Sequence, residues 1–160
     1  MRRAADALLV ALQSYFFLMN VTVERCYCHH TVQECVAQGS FLAEETLDFT
    51  KSFNPLFLAR PEWIRVATCI SAYGFPAFYL LIAFAAAFDQ WPRFRLPITI
   101  FVGMKLNALL FYHTMEFLSA TPPPNPVPYF GVEGPYLVSI ALVCWRMSCS
   151  AADGVKPKSA

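Results

Sequence analysis

The sequence has 160 residues, of which 57% are hydrophobic, 16% aromatic and 14% charged, and its formal net charge is +1. The apolar share is higher, and the charged share lower, than in an ordinary globular domain. Apolar residues come in long runs instead of alternating with polar ones, which excludes a soluble enzyme domain and indicates an integral membrane protein. The sequence contains no basic stripe, so we expect no nucleic-acid partner.

The first apolar run predicts a helix over residues 7–27, after a basic start at Arg2 and Arg3. A signal peptide has the same basic start and apolar middle, but no small-residue cleavage site follows this run, so we expect an uncleaved anchor. Asn20 and Glu24 lie four residues apart on the predicted helix. They therefore share one of its faces.

The next segment, residues 29–61, is polar and is predicted to face water, with a helical piece at the membrane interface. Three cysteines, Cys26, Cys28 and Cys35, cluster around its start together with His29 and His30. Thiolates and imidazoles are zinc ligands, but the spacing lacks the paired C-x2-C form, so no metal site is predicted. A disulfide or free thiols are the alternatives. The remaining cysteines lie in or beside apolar runs and are predicted to be packing residues: Cys69, Cys144 and Cys149.

Three more apolar runs complete the predicted membrane domain. The first is long enough for a helix of about 39 Å, which exceeds the roughly 30 Å hydrocarbon core of a bilayer, and Pro76 should kink it. We predict a tight turn over residues 89–95 and a stiff proline-rich loop over residues 121–128. The predicted fold is all-α, a four-transmembrane-helix bundle over residues 1–150 followed by a polar tail at 151–160. Its last three helices cover about residues 63–88, 96–118 and 132–149.

Basic residues concentrate on one side of this arrangement, the side that holds both termini and the middle turn. By the positive-inside rule, both termini and the tail are expected in the cytosol. Lys156 and Lys158 lie five and three residues from the end, as in a dilysine retrieval signal, which predicts the endoplasmic reticulum membrane. The opposite side would face an oxidising lumen, and it collects mainly acidic residues: Glu34, Glu44, Glu45, Asp48, Glu62 and Glu133.

Polar residues within the predicted membrane helices form a second pattern. Lys105, Leu109, Tyr112 and Glu116 recur on one face of the third helix. In one interpretation Glu24 and Glu116 reach the headgroups near helix ends and Lys105 snorkels to the surface. In the other, these groups line an intramembrane pocket, because ionisable groups inside membranes usually face a cavity or a partner. Apolar walls with a few polar groups suit a lipid or a sterol.

Short motifs in order along the chain carry a family resemblance. The chain resembles the EXPERA family, which includes the sigma-2 receptor and the sterol isomerase called emopamil-binding protein. The resemblance implies a four-helix membrane fold and no cofactor. The matching segments are Asn20-Val21-Thr22-Val23-Glu24, Ser52-Phe53-Asn54-Pro55-Leu56, Arg60-Pro61-Glu62-Trp63, Cys69 to Pro76, and Pro135-Tyr136-Leu137.

Two departures from the family pattern bear on function. Asn54 stands where sigma-2-like members have aspartate, and Ile70 where they have glutamate. Isomerisation of a sterol double bond needs a proton donor and an acceptor, so the loss of a carboxylate favours a noncatalytic binder of a sterol or related lipid. The resemblance implies Glu24 as the polar anchor in a ligand site made of Asn20, Glu24, Asn54, Tyr73, Tyr112 and Tyr136.

Two alternatives stay open. The first is a sterol Δ8-Δ7 isomerase in which Glu24 and Glu116 form the proton-transfer pair. The second is an accessory subunit of a membrane complex, with a helix face covered by protein and no ligand of its own. The expected partners are the bilayer and a lipid or sterol ligand, and a homodimer is a further candidate.

Overall fold

The computed structural model describes residues 2–154, and this part of the chain is all-helical, without a strand, as predicted. The first helix is continuous over 28 residues, from Arg2 to His29. It consists of α1 (Arg2–Met19), one π-helical turn (Asn20–Glu24) and α2 (Arg25–His29). The π-helical turn is a local widening of the helix of the kind often found at functional sites.

The polar connection folds into three short helices, α3 (Val32–Ala37), α4 (Ala43–Phe53) and α5 (Pro55–Ala59). Thr31 starts α3 with a capping box, in which its hydroxyl accepts the Glu34 backbone N–H and the Glu34 carboxylate accepts the Thr31 backbone N–H. Gly39 follows α3 with a φ of +68°, a conformation that favours glycine. The predicted helical piece is therefore present, as three separate helices.

The next apolar run forms α6 (Glu62–Gly74) and α7 (Pro76–Ala87), which are bent by 47° where they meet at Phe75. The kink predicted at Pro76 is confirmed, because proline lacks the N–H that would continue the helix. α8 (Trp91–Phe117) and α9 (Pro126–Gly154) complete the described chain.

Both of these C-terminal helices begin earlier than predicted. α8 starts at Trp91, so the turn predicted over residues 89–95 is wrong beyond its first two residues. Pro92 lies in the first turn of α8, where a missing N–H does no harm. α9 starts at Pro126, where the Asn125 side chain accepts the Val127 backbone N–H at 3.0 Å, and the proline-rich loop is correspondingly shorter.

Within residues 2–154, three helices are long and apolar enough to cross a membrane: Arg2–His29, Trp91–Phe117 and Pro126–Ser150. The bent pair α6 and α7 is a fourth candidate when it is counted as one span. Large apolar side chains on the outer faces are exposed, including Leu96 and Ile100, as expected where lipid is the solvent. The main core lies between α1, α7, α8 and α9, around Leu9, Phe16, Ile82, Ile98 and Val143.

One disulfide holds the polar connection against α2, and a second joins α2 to α6. Cys26 bonds to Cys35, and Cys28 bonds to Cys69, with Cα–Cα distances of 5.9 and 5.2 Å. The prediction that Cys69 is a packing residue is wrong, because the crossing of α2 and α6 brings it to Cys28. Lys156 and Lys158 of the predicted retrieval signal lie outside the described residues.

Candidate ligand-binding cavity

A cavity of about 390 Å³ lies between the first helix, α4, α6, α8 and α9. Its walls are mostly apolar and aromatic, and a few polar groups converge on it. This composition is typical of a site for a small apolar ligand with one or two polar groups. The aromatic part of the wall includes Tyr15, Phe49, Phe57, Phe75, Phe111 and Tyr136.

Glu24 reaches the cavity from the π-helical turn of the first helix. Its carboxylate interacts with Lys105 and lies beside Ser71, which also lines the cavity. The Oε2 atom is buried and has no hydrogen-bond partner among the described residues. A buried oxygen of this kind is costly unless a donor reaches it, so Glu24 can accept a hydrogen bond from a ligand.

Lys105 reaches the same cavity from the middle of α8 and is only 9% exposed. Its Nζ lies 4.6 Å from the ring centroid of Tyr136, 5.2 Å from that of Phe75 and 5.9 Å from that of Tyr79. These are cation–π distances. The interpretation in which Lys105 snorkels to the surface is therefore wrong.

Glu133 lines the cavity from α9 and interacts with both Lys105 and Glu24. Glu133 was predicted at the start of the last helix, among the acidic residues of the lumenal side, but it lies two turns inside α9 because this helix begins seven residues earlier, at Pro126. Two carboxylates and one ammonium thus share a mostly apolar enclosure. Charges interact more strongly there than in water, because the local dielectric constant is low.

Asn54 and Tyr112 form a neutral polar pair on the cavity wall. The Asn54 side-chain amide donates to the Tyr112 hydroxyl at 2.8 Å. Its carbonyl oxygen accepts the Phe57 backbone N–H at 3.0 Å, which caps α5. Asn54 therefore links the start of a short connecting helix to α8, and it also contributes to the cavity.

Four of the six residues predicted to bind a ligand line this cavity: Glu24, Asn54, Tyr112 and Tyr136. Asn20 is fully buried but does not line it. Its side chain lies beside the Glu24 carboxylate without reaching the cavity wall. Tyr73 is 59% exposed on the outer face of α6, with its hydroxyl 3.0 Å from His29 Nε2.

Glu116, the second carboxylate of the predicted isomerase pair, is buried but is not among the lining residues. The structure instead places Glu133 on the wall with Glu24. Glu133 could have been predicted from the sequence, because it lies three residues before Tyr136 and residues three apart on a helix share a face. The same spacing relates Thr68 and Ser71 of α6, which also line the cavity and were not predicted.

No group of three histidine, cysteine, aspartate or glutamate side chains within residues 2–154 could hold a metal ion. The arrangement can hold an apolar molecule and bind its polar group through Glu24, Lys105 or Glu133. Comparison of the chain with protein-family models, with curated proteins and with solved structures found no match.

Proposed function

We propose that the protein is a multi-pass membrane protein that binds a sterol or a related lipid in this cavity, with Glu24 as the polar anchor. The observation that carries the proposal is the buried, unpartnered Oε2 atom of Glu24 in a mostly aromatic enclosure. A ligand hydroxyl would donate to this oxygen, and the apolar body of the ligand would contact the aromatic wall.

The size of the cavity supports the same proposal. Its volume of about 390 Å³ is within the range of about 300–1,000 Å³ that is usual for small-molecule sites. An open cavity also favours ligand binding over the role of an accessory subunit, for which we expected a helix face covered by protein. Membership of the EXPERA family, whose members include sterol-binding bundles, is part of the proposal.

The proposed topology has four spans, with the bent pair α6 and α7 counted as one. Both termini are then cytosolic, the polar connection is lumenal, and both disulfides lie at this lumenal end of the bundle. Disulfides persist in oxidising compartments, which supports the endoplasmic reticulum as the location of the protein.

Photo-crosslinking with a sterol probe tests the proposal. We expect labelling of the wild-type protein, competition by unlabelled sterol and a marked loss of labelling in Glu24→Ala. Glu44→Ala, which changes an exposed carboxylate of α4, is the matched control and should label as the wild type does. Equal labelling of the wild type and Glu24→Ala would contradict the anchor role.

A sterol isomerase is the second candidate, and one observation favours it: Glu24 and Glu133 lie on the wall of one cavity. One carboxyl group would donate a proton to the sterol and the other would accept one. Complementation of an isomerase-deficient strain discriminates the two functions. Growth that depends on both Glu24 and Glu133 would support the enzyme, whereas no growth with good expression would remove it.

A further inference from the structure

The ammonium group of Lys105 is surrounded by three aromatic rings. Phe75 stands at the break between α6 and α7, Tyr79 lies on α7 and Tyr136 on α9, and Nζ is within 6 Å of each centroid. Enclosures of this kind attract cations through the negative faces of the rings, and proteins use them to bind ammonium ligands. Here the cation is a side chain of the protein itself.

The ring enclosure is held in place by the core. Tyr136 stacks on Phe16 of the first helix, with centroids 4.1 Å apart, and Tyr79 is 2% exposed and meets the edge of Phe101. These contacts do not depend on a ligand. The enclosure is therefore built into the bundle, and Lys105 fills it.

We propose that Lys105 is a specificity-determining residue, which fills the cation site of the cavity and thereby selects ligands whose polar group is an uncharged hydroxyl. The proposal rests on the proposed function and narrows its ligand class. A ligand carrying a protonated amine would bring a second positive charge close to Nζ in a region of low dielectric constant, where repulsion is strong. An uncharged oxygen can instead accept a hydrogen bond from the ammonium group, which has donors only.

The other ionisable groups around the site determine which ligand charge the cavity would accept without Lys105. Glu24 faces it from the π-helical turn, Glu133 from α9 and His113 from further along α8. With Lys105 replaced by a neutral residue, two carboxylates and the three ring faces remain without a positive charge, which favours the binding of a cation. One side chain thus sets the charge that the cavity accepts.

A matched pair of sterol probes tests this inference, one with a 3-hydroxyl group and one with a 3-amino group on the same ring system. Dissociation constants are measured for the purified wild type and for Lys105→Met, Lys105→Gln and Lys105→Arg. Lys51→Met, which changes an exposed lysine of α4, is the control. We expect the wild type, Lys105→Arg and Lys51→Met to prefer the hydroxyl probe at least about tenfold, which corresponds to about 1.4 kcal/mol.

Lys105→Met and Lys105→Gln should prefer the amine probe. The inference is overturned if the wild type binds the amine probe as tightly as the hydroxyl probe, or if the neutral variants keep the wild-type ratio. The wild-type ratio is decisive even if a neutral variant does not fold. If the wild type and the neutral variants bind both probes with the same ratio of dissociation constants, only this inference is contradicted. If folded protein binds neither probe, the proposed function is contradicted as well.

Discussion

Arg146 of α9 donates two hydrogen bonds to Asp6 of α1, from Nε to Oδ1 at 2.6 Å and from Nη2 to Oδ2 at 2.9 Å. Nη2 also donates to Asp89, in the turn between α7 and α8, at 3.0 Å. The guanidinium lies over the Trp91 ring, and Arg146 is only 3% exposed. This network is buried at Arg146 and exposed at Asp89, and it joins the first helix, the last helix and the turn between α7 and α8.

Replacing Arg146 should therefore be strongly destabilising. Arg146→Met leaves the largely buried Asp6 carboxylate without its partner, and we expect a loss of about 3–5 kcal/mol in the free energy of unfolding. Denaturant unfolding in detergent measures it. The control Arg93→Met changes an exposed arginine of α8 and should stay within about 0.5 kcal/mol of the wild type. If the free energy of unfolding fell by a similar amount in the two variants, the network of Arg146 would not be important for stability.

A second prediction concerns the interior of the bundle, where the Gln13 side-chain amide donates to the Ser139 hydroxyl at 2.6 Å. Both side chains are buried. Ser139→Ala leaves the Gln13 amide without its acceptor, and we expect the free energy of unfolding to fall by about 1–3 kcal/mol. Ser148→Ala is the control, since the Ser148 hydroxyl is exposed and bonds only to its own helix, at the Cys144 carbonyl. Equal unfolding midpoints for the two variants would rule the prediction out.

Asn54 has two roles that different substitutions separate. Asn54→Ala removes both the cap of α5 and the hydrogen bond to Tyr112. It should therefore lower the free energy of unfolding by about 1 kcal/mol for the cap and by a similar amount for the hydrogen bond. Tyr112→Phe removes only the bond and should cost about half as much. Thermal unfolding in detergent compares the two variants. Equal losses of stability in Tyr112→Phe and Asn54→Ala would show that the cap contributes nothing.

The Cys28–Cys69 disulfide should contribute substantially to stability, because it joins residues 41 apart in the chain. Replacing both cysteines with serine should lower the free energy of unfolding by about 2–4 kcal/mol. Cys144→Ser, at a free and exposed cysteine, is the control and should change little. Peptide mapping without reductant should recover Cys28 linked to Cys69, and free thiols at both positions would contradict the prediction.

The capping box of α3 should weaken at low pH. Hydrogen bonds from the Thr31 backbone N–H, and then from its hydroxyl, hold the pKa of the exposed Glu34 carboxyl below its usual value. A lowered pKa means that the ionised form stabilises the cap above the ordinary glutamate pKa of about 4.3, and that this contribution is lost as the pH falls through the lower value.

Hydrogen exchange of the amides of α3, measured as a function of pH, tests this prediction. Protection corrected for the intrinsic exchange rate should decrease in acid in the wild type. Glu34→Gln should show weaker protection at neutral pH and a flatter acid dependence. Parallel curves for the two proteins would mean that the Glu34 charge does not act on the cap.

Local features of the sequence were enough to determine the helical character of the chain. In a long apolar run the backbone N–H and C=O groups cannot bond to water, so they bond to one another and the segment becomes a helix. Pro76 bends one of these helices because proline lacks an N–H. Periodicity also identified the inward face of α8, since Lys105, Leu109 and Glu116 are all buried. The start of α9 was missed because prolines in the first turn of a helix resemble those of a loop.

Only the tertiary structure decided which polar residues share the cavity. Glu24, Lys105 and Glu133 belong to three separate helices, and no local pattern specifies how those helices rotate against one another. Asn20 is buried without lining the cavity, and the crossing of α2 and α6 pairs Cys28 with Cys69. Hydropathy and periodicity depend on neighbours along the chain, whereas these relationships depend on packing between distant segments.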